Sequence, residues 1–216
     1  MKKIKLILFD IDNTLVYGEA AKKYYQQYPI FLEKMLSKCL YISLNEAKKI
    51  ADEHRRLFNG RGEKAFETYN IDFCIWNKTI CTIDPNIYIQ PLLNIQKLLV
   101  DLRNDYLLGA VTDGPTQQAY KILKAAEIDK DLFSLFIGWE FRKKMPKGGL
   151  PDVFKQIISQ SGLSPSELLM VGDSVDADII PAHTCGINVL HINDVVKTKF
   201  PTIKQIEMLP DYLKKL

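Results

Sequence analysis

Short apolar runs that alternate with helical patterns are the feature that most constrains the fold of this chain. Five runs have the length of a buried strand: 4–9, 107–111, 135–137, 168–171 and 188–191. Four amphipathic patterns lie before or between the later runs, at about 91–104, 116–127, 151–161 and 176–185. Strands that alternate with helices form right-handed crossovers and a parallel sheet with both faces covered. The sequence therefore predicts a Rossmann-like, doubly wound α/β core.

The segment between the first and second runs breaks this alternation. Residues 18–88 carry almost only helical patterns, at about 20–38, 43–59, 62–69 and 71–78. Ser43 and Glu46 resemble a capping box at the start of the second of these helices. We therefore predict two domains, an α/β core of residues 1–17 and 89–216 and an inserted α-helical cap of residues 18–88.

Composition and charge exclude several classes of protein. The net charge is +3, and the Lys and Arg residues are spread along the chain without a nucleic-acid-binding module, so no nucleic-acid partner is expected. No run reaches the roughly 18 apolar residues of a membrane span, and no signal peptide is apparent. The four cysteines form neither a C-x-x-C pair nor a zinc pattern, which favours reduced thiols and a cytoplasmic protein. The sequence gives no indication of the oligomeric state.

Two acidic residues directly follow the first predicted strand. Asp10 and Asp12 are separated only by Ile11. Ligands bind beyond the carboxyl ends of the strands in parallel sheets, so these two side chains are expected at a binding site. Two neighbouring carboxylates repel each other, and a hard divalent cation such as Mg²⁺ relieves that repulsion. The alternative is that residues 12–14 form only a turn or a helix cap.

Two later strands also end in polar residues. Asp173 follows the fourth run, and Asp178 comes five residues later. Thr112 follows the second run and is succeeded by Asp113 and Gly114 in a predicted turn. Three or four acids at one edge of the sheet would be strongly destabilising without a metal ion. Thr112 could bind a ligand, cap the next helix, or do both.

Four segments together resemble the motifs of the haloacid dehalogenase superfamily of phosphohydrolases. They are DxDxT in FDIDNTL, the Thr of VTDG, a Lys before P-x-x-F in MPKGGLPDVF, and GDxxxxD in VGDSVDAD. The segments follow the order of the family and span the predicted core. The resemblance implies a Mg²⁺-dependent phosphomonoester hydrolase that acts through an aspartyl-phosphate intermediate.

The resemblance also implies a role for each acid. Asp10 would be the nucleophile, and Asp12 would protonate the leaving oxygen and then deprotonate the attacking water. Mg²⁺ would be held by the side chain of Asp10, the main-chain carbonyl of Asp12 and Asp173. Asp178 would support the metal site or the catalytic lysine. Family dehalogenases lack the second acid, so its presence points to phosphate esters.

Other residues would bind the phosphoryl group. The resemblance assigns this role to the hydroxyl of Thr112 and to the loop amides of Asp113 and Gly114. The family chemistry needs no histidine. All three histidines of the chain are therefore expected to be structural: His54, His183 and His191.

The lysine motif departs from the family pattern K-P-x-P-x-x-F. Aligning the P-x-x-F segment places Gly148 where the lysine is expected, and Lys147 lies one residue earlier. We favour Lys147 as the group that neutralises phosphoryl charge, because the flexible glycines after it let its side chain swing inward. Lys143 and Lys144 are alternatives.

The predicted cap bears on the substrate. A helical cap that closes over the site disfavours macromolecules and supplies specificity contacts to a small phosphate ester. The chain looks most like the pyrimidine 5′-nucleotidase branch, so a nucleoside 5′-monophosphate is favoured. Arg61, between two glycines, is a candidate substrate contact, or else a solvated arginine. Alternatives are a sugar-phosphate or phosphoglycolate phosphatase, a phosphosugar mutase, a phosphoprotein phosphatase, and a non-catalytic binding module.

Overall fold

Six parallel strands form a central sheet in the computed structural model, which describes residues 3–58, 60, 62–138, 152–193 and 198–216. The strands are β1 (Leu6–Phe9), β2 (Leu107–Val111), β3 (Leu135–Ile137), β4 (Leu168–Gly172), β5 (Asn188–Ile192) and β6 (Thr202–Ile203). Their order across the sheet is β3-β2-β1-β4-β5-β6. The predicted Rossmann-like α/β class is therefore confirmed.

The described residues contain ten α-helices. They are α1 (Glu19–Tyr25), α2 (Gln27–Leu40), α3 (Leu44–Leu57), α4 (Lys64–Thr68), α5 (Phe73–Ile80), α6 (Leu93–Leu102), α7 (Thr116–Ala125), α8 (Asp152–Ser161), α9 (Ile180–Thr184) and α10 (Leu209–Leu213). None of these helices has both the length and the hydrophobicity to cross a lipid bilayer.

Strand β1 is apolar at every position because both of its faces are buried. Leu6 and Leu8 pack in one hydrophobic cluster with Met170 of β4. Ile7 and Phe9 point to the opposite face, since successive side chains alternate along a strand, and they are also fully buried. The first polar side chain therefore appears only after β1 ends.

The chain divides into two compact units, one of residues 1–20 and 90–216 and one of residues 21–89. The first unit contains the sheet. The described part of the second unit contains no β-strand, and its core includes Tyr24, which contacts Tyr28 edge to face. Ser43 and Glu46 form the predicted capping box at the start of α3.

The helix predicted over 20–38 is wrong as a single element, because the structure has α1 and α2 there with a break at Gln26. Pro29 explains the break. It has no N–H to donate to the carbonyl of Tyr25, and its ring clashes with a carbonyl four residues earlier in a continuous helix. A new helix can begin just before Pro29, where no such bond is needed.

The helix predicted over 176–185 also differs from the structure. A π-helix spans Val175–Ile179, and α9 follows it. The amide of Ile180 donates to the carbonyl of Val175, five residues earlier. Pro181 cannot donate a backbone hydrogen bond, so a regular α-helical ladder cannot run through this point. Single π-turns of this kind often occur at functional sites.

Candidate active site

Asp10 is the first residue beyond β1. Its amide donates a hydrogen bond of 3.0 Å to the carbonyl of Val171, which extends the pairing of β1 with β4 by one residue. The side chain is 8% exposed. The sheet therefore fixes the backbone of Asp10 and holds its carboxylate at the carboxyl edge, as the sequence predicts.

The chain turns back immediately after Asp10. Asn13 has a φ of 58°, in the left-handed region that Asn tolerates. The amides of Leu15 and Val16 both donate to the carbonyl of Ile11, at 3.0 and 2.9 Å. Residues 13–15 form a turn that is closed by an isolated bridge between Asp12 and Val16, and this turn presents Asp12 at the same edge of the sheet.

Thr112 occupies the equivalent position beyond β2. Its amide donates to the carbonyl of Ile137 at 2.9 Å, and its hydroxyl oxygen accepts from the amide of Gly114 at 3.0 Å. Among the described residues nothing accepts the hydroxyl hydrogen, so this hydrogen can be donated to a ligand. Helix α7 is preceded by Pro115 without a side-chain cap, so Thr112 is not the cap of that helix.

The loops after β1 and β2 meet at Gly114. A Cβ atom on Gly114 would lie 3.4 Å from the hydroxyl oxygen of Thr112 and 3.9 Å from Oδ2 of Asp12. The Asp12 carboxylate is thus close to the Thr112 loop. Asp113, the other predicted phosphoryl-binding residue, is exposed in the same loop.

Three carboxylates form the cluster predicted from the strand ends. Asp10, Asp173 and Asp178 each place one oxygen within 4.8 Å of the other two. The side chain of Asp12 is not part of this group. A set of carboxylate oxygens is the donor type that Mg²⁺ prefers, so these residues fit the expected metal ion.

The electrostatics of Asp173 are consistent with a cation site. Burial and then the charge of Asp12 raise the pKa of Asp173 to about 6. Each of these causes disfavours the ionised carboxylate, and a bound cation favours it. A divalent ion at Asp173 would thus offset both the cost of burial and the repulsion from Asp12.

Gly172 permits the close approach of Asp178 to β4. A Cβ on Gly172 would overlap Oδ2 of Asp178 and lie 2.6 Å from the Cβ of Asp178, which is too close for any side chain. Asp178 is 2% exposed, and its Oδ2 accepts from the amide of Ser174 at 3.1 Å. We did not predict this role of Gly172 from the sequence, although a glycine directly before the acid of the fourth motif is a signal for it.

We expect Gly172→Ala to lower kcat/KM for an aryl phosphate by about 10²-fold, because a shift of about 1 Å in a site carboxylate has effects of this size. Gly109→Ala is a matched control. Its Cβ would lie 2.8 Å from Leu8 inside the sheet, away from the carboxylates. Both variants should lose thermal stability, but only Gly172→Ala should lose activity beyond its loss of folded protein. Equal specific activities of the two variants would contradict the role of Gly172.

Lys147, like its alternatives Lys143 and Lys144, and Arg61 lie outside the described residues. Their roles remain predictions.

A family model for haloacid dehalogenase-like hydrolases matches residues 4–186. The glyceraldehyde 3-phosphate phosphatase of Pyrococcus furiosus is 27% identical, and the match covers 87% of this chain and 80% of that protein. The phosphoglycolate phosphatase of Mannheimia succiniciproducens is 33% identical over 94 residues, which cover 43% of this chain and 40% of that protein.

A solved structure also matches nearly the whole chain. The HAD phosphatase from Thermococcus onnurineus superposes with a TM-score of 0.69 at 25% identity, covering 97% of this chain and 98% of that one. The fold and the matching family model together define a hydrolase. The chain belongs to the haloacid dehalogenase-like hydrolases.

Proposed function

We propose that the chain is a Mg²⁺-dependent phosphatase that hydrolyses a small phosphorylated metabolite of the sugar-phosphate or phosphoglycolate type. The carboxylate cluster of Asp10, Asp173 and Asp178, at the same edge of the sheet as Thr112, is the observation that carries this proposal. The names of the two relatives favour this substrate class over the nucleoside 5′-monophosphate that the sequence suggested. The pyrimidine 5′-nucleotidase branch receives no support from these relatives.

Asp10 and Asp12 have separate roles in the proposed reaction. A carboxylate oxygen of Asp10 attacks phosphorus, the bond from phosphorus to the leaving oxygen breaks, and Asp12 donates a proton to that oxygen. Asp12 then takes a proton from water, which attacks the aspartyl phosphate and releases inorganic phosphate. The Asp12 carboxylate lies outside the metal-type cluster, and this placement supports a role in proton transfer.

Thr112 orients the phosphoryl group. Its hydroxyl oxygen accepts from the amide of Gly114, and its hydrogen donates to a phosphoryl oxygen in this proposal. The loop amides add donors to the phosphoryl oxygens, and Lys147 supplies positive charge. Preorganised donors of this kind stabilise charge that develops in the transition state.

The metal ion would be held by the side chains of Asp10, Asp173 and Asp178 and by the main-chain carbonyl of Asp12. Its chemistry is electrostatic, since a divalent cation offsets the repulsion between an anionic nucleophile and an anionic substrate. Residues 21–89 act as a specificity cap in this proposal, with Arg61 as a substrate contact. The helices described within this segment support its assignment as a cap.

A panel of phosphate esters tests the proposed substrate class. We expect kcat/KM with Mg²⁺ to be at least about tenfold higher for glyceraldehyde 3-phosphate, phosphoglycolate or a sugar phosphate than for any nucleoside 5′-monophosphate, a difference of about 1.4 kcal/mol. Release of inorganic phosphate is the measurement, because a phosphosugar mutase would rearrange its substrate without releasing phosphate. A preference for nucleotides or for a phosphopeptide would contradict the proposed class.

A further inference from the structure

His191 is a buried imidazole in an otherwise apolar part of β5. Its side chain is 1% exposed, and its neighbours Leu190 and Ile192 are buried and apolar. Its backbone pairs with Gly172, the last residue of β4. Burial of a polar ring is unfavourable unless the ring makes a compensating hydrogen bond. The partner of this hydrogen bond therefore indicates the role of the His191 ring.

The ring contacts the backbone of one cluster residue. Nε2 of His191 lies 2.9 Å from the carbonyl oxygen of Asp173. A carbonyl oxygen can only accept, so Nε2 carries the hydrogen and donates it. Nδ1 is buried and has no hydrogen-bond partner within the part of the chain that the structure describes. The side-chain hydrogen bonding of His191 is therefore directed at Asp173.

The backbone at Asp173 needs such a contact. Strand β4 ends at Gly172, so Asp173 lies just beyond the paired register. Gly172 has no side chain, because Asp178 occupies that space, and glycine has the least restricted backbone of any residue. Asp173, whose carboxylate belongs to the cluster, thus follows the residue of β4 that has the least restricted backbone.

We propose that His191 is a positioning residue for the metal site, which holds the main chain of Asp173 so that the Asp173 carboxylate meets those of Asp10 and Asp178. The inference rests on the proposed function of this cluster as a Mg²⁺ site. His191 contacts neither metal nor substrate and acts only through Asp173. The sequence suggested a structural role for His191. The proposed positioning role instead connects this histidine to metal binding.

Three variants separate positioning from packing. His191→Leu removes the donor and keeps an apolar side chain, whereas His191→Gln keeps an N–H donor on a side chain long enough to reach the carbonyl. Val189→Ala is the matched control, because Val189 is buried on the same face of β5 two residues earlier. Mg²⁺ affinity is measured by calorimetry on the full chain, together with the Mg²⁺-induced shift in Tm and the Mg²⁺ dependence of kcat and KM.

We expect His191→Leu to weaken Mg²⁺ binding by about tenfold or more, the usual effect of losing a residue that orients a metal ligand. His191→Gln should recover most of this loss. Val189→Ala should lower Tm while leaving the Mg²⁺ affinity unchanged. If His191→Leu does not fold, His191→Asn replaces it, since its shorter amide does not reach the carbonyl of Asp173.

The outcomes distinguish this inference from the proposed function. Wild-type Mg²⁺ affinity in His191→Leu, or equal losses in His191→Leu and Val189→Ala, would overturn the positioning role alone. The same holds if His191→Gln binds Mg²⁺ no better than His191→Leu. A wild-type protein that binds no Mg²⁺ would contradict the proposed function and this inference together.

Discussion

Replacement of Asp10 by Asn is expected to lower the turnover of an aryl phosphate by about 10³-fold or more while the protein stays folded. The amide oxygen is a poor nucleophile and a poor metal ligand, so the variant loses both proposed functions of the residue. Losses of this size are usual when a covalent nucleophile is removed. The measurement is kcat with saturating Mg²⁺, with folding checked by circular dichroism.

Asp176→Asn is the control for this experiment. Asp176 is an exposed aspartate in the π-helix next to the cluster, and the same chemical change there should leave the rate nearly unaltered. Mass spectrometry excludes deamidation of the introduced asparagine back to aspartate. A variant that retains more than about a tenth of the wild-type rate would rule out the covalent mechanism, since this corresponds to a loss of only about 1.4 kcal/mol.

Removal of divalent metal is expected to abolish activity, and added Mg²⁺ should restore it. Binding should also raise the free energy of unfolding, by about 2.7 kcal/mol when Mg²⁺ is present at 100 times its Kd. Thermal unfolding with EDTA and with Mg²⁺ measures this effect. Full activity in buffer freed of divalent ions would show that the cluster of Asp10, Asp173 and Asp178 is not a metal site.

The Mg²⁺-induced stabilisation should depend on pH. The pKa of Asp173 in the folded, metal-free protein is about 6, above its value of about 3.9 in an unfolded chain. Protonation of Asp173 therefore stabilises the metal-free protein at low pH, and this stabilisation is lost as the pH rises through about 6. Mg²⁺ should accordingly raise Tm more at about pH 7.5 than at about pH 5. Asp173→Asn should remove most of this difference.

The acids of the site could be predicted because strand ends are visible in the sequence. Asp10 and Asp173 each follow an apolar run, and parallel strands bring their carboxyl ends to one edge. The contact between His191 and Asp173 could not be predicted in this way. It depends on the register that places His191 opposite Gly172, and a histidine in an apolar strand looks the same in the sequence whatever its ring contacts.

The errors in the helices have a similar origin. The apolar pattern over 20–38 continues across Gln26, and only Pro29 marks the break, because periodicity does not report the loss of a single backbone donor. The π-turn that contains Asp178 adds one residue to a helical turn. This extra residue changes which side chains share a face of the helix. The apolar periodicity on either side is then too short to be recognised in the sequence.

The central place of β1 in the sheet has a consequence for synthesis of the chain on the ribosome. Leu6 pairs with Leu107 of β2 on one side and with Leu168 of β4 on the other. Strand β1 is therefore synthesised before either of the strands with which it pairs. Translation proceeds at roughly 5–20 residues per second, so the interval between the synthesis of β1 and that of β4 is on the order of ten seconds. During that time the apolar side chains of β1 lack their neighbouring strands, and exposed apolar segments of this kind are prone to aggregate. Residues 21–89 are contiguous, and their unit can form before the strands that pair with β1 have been synthesised.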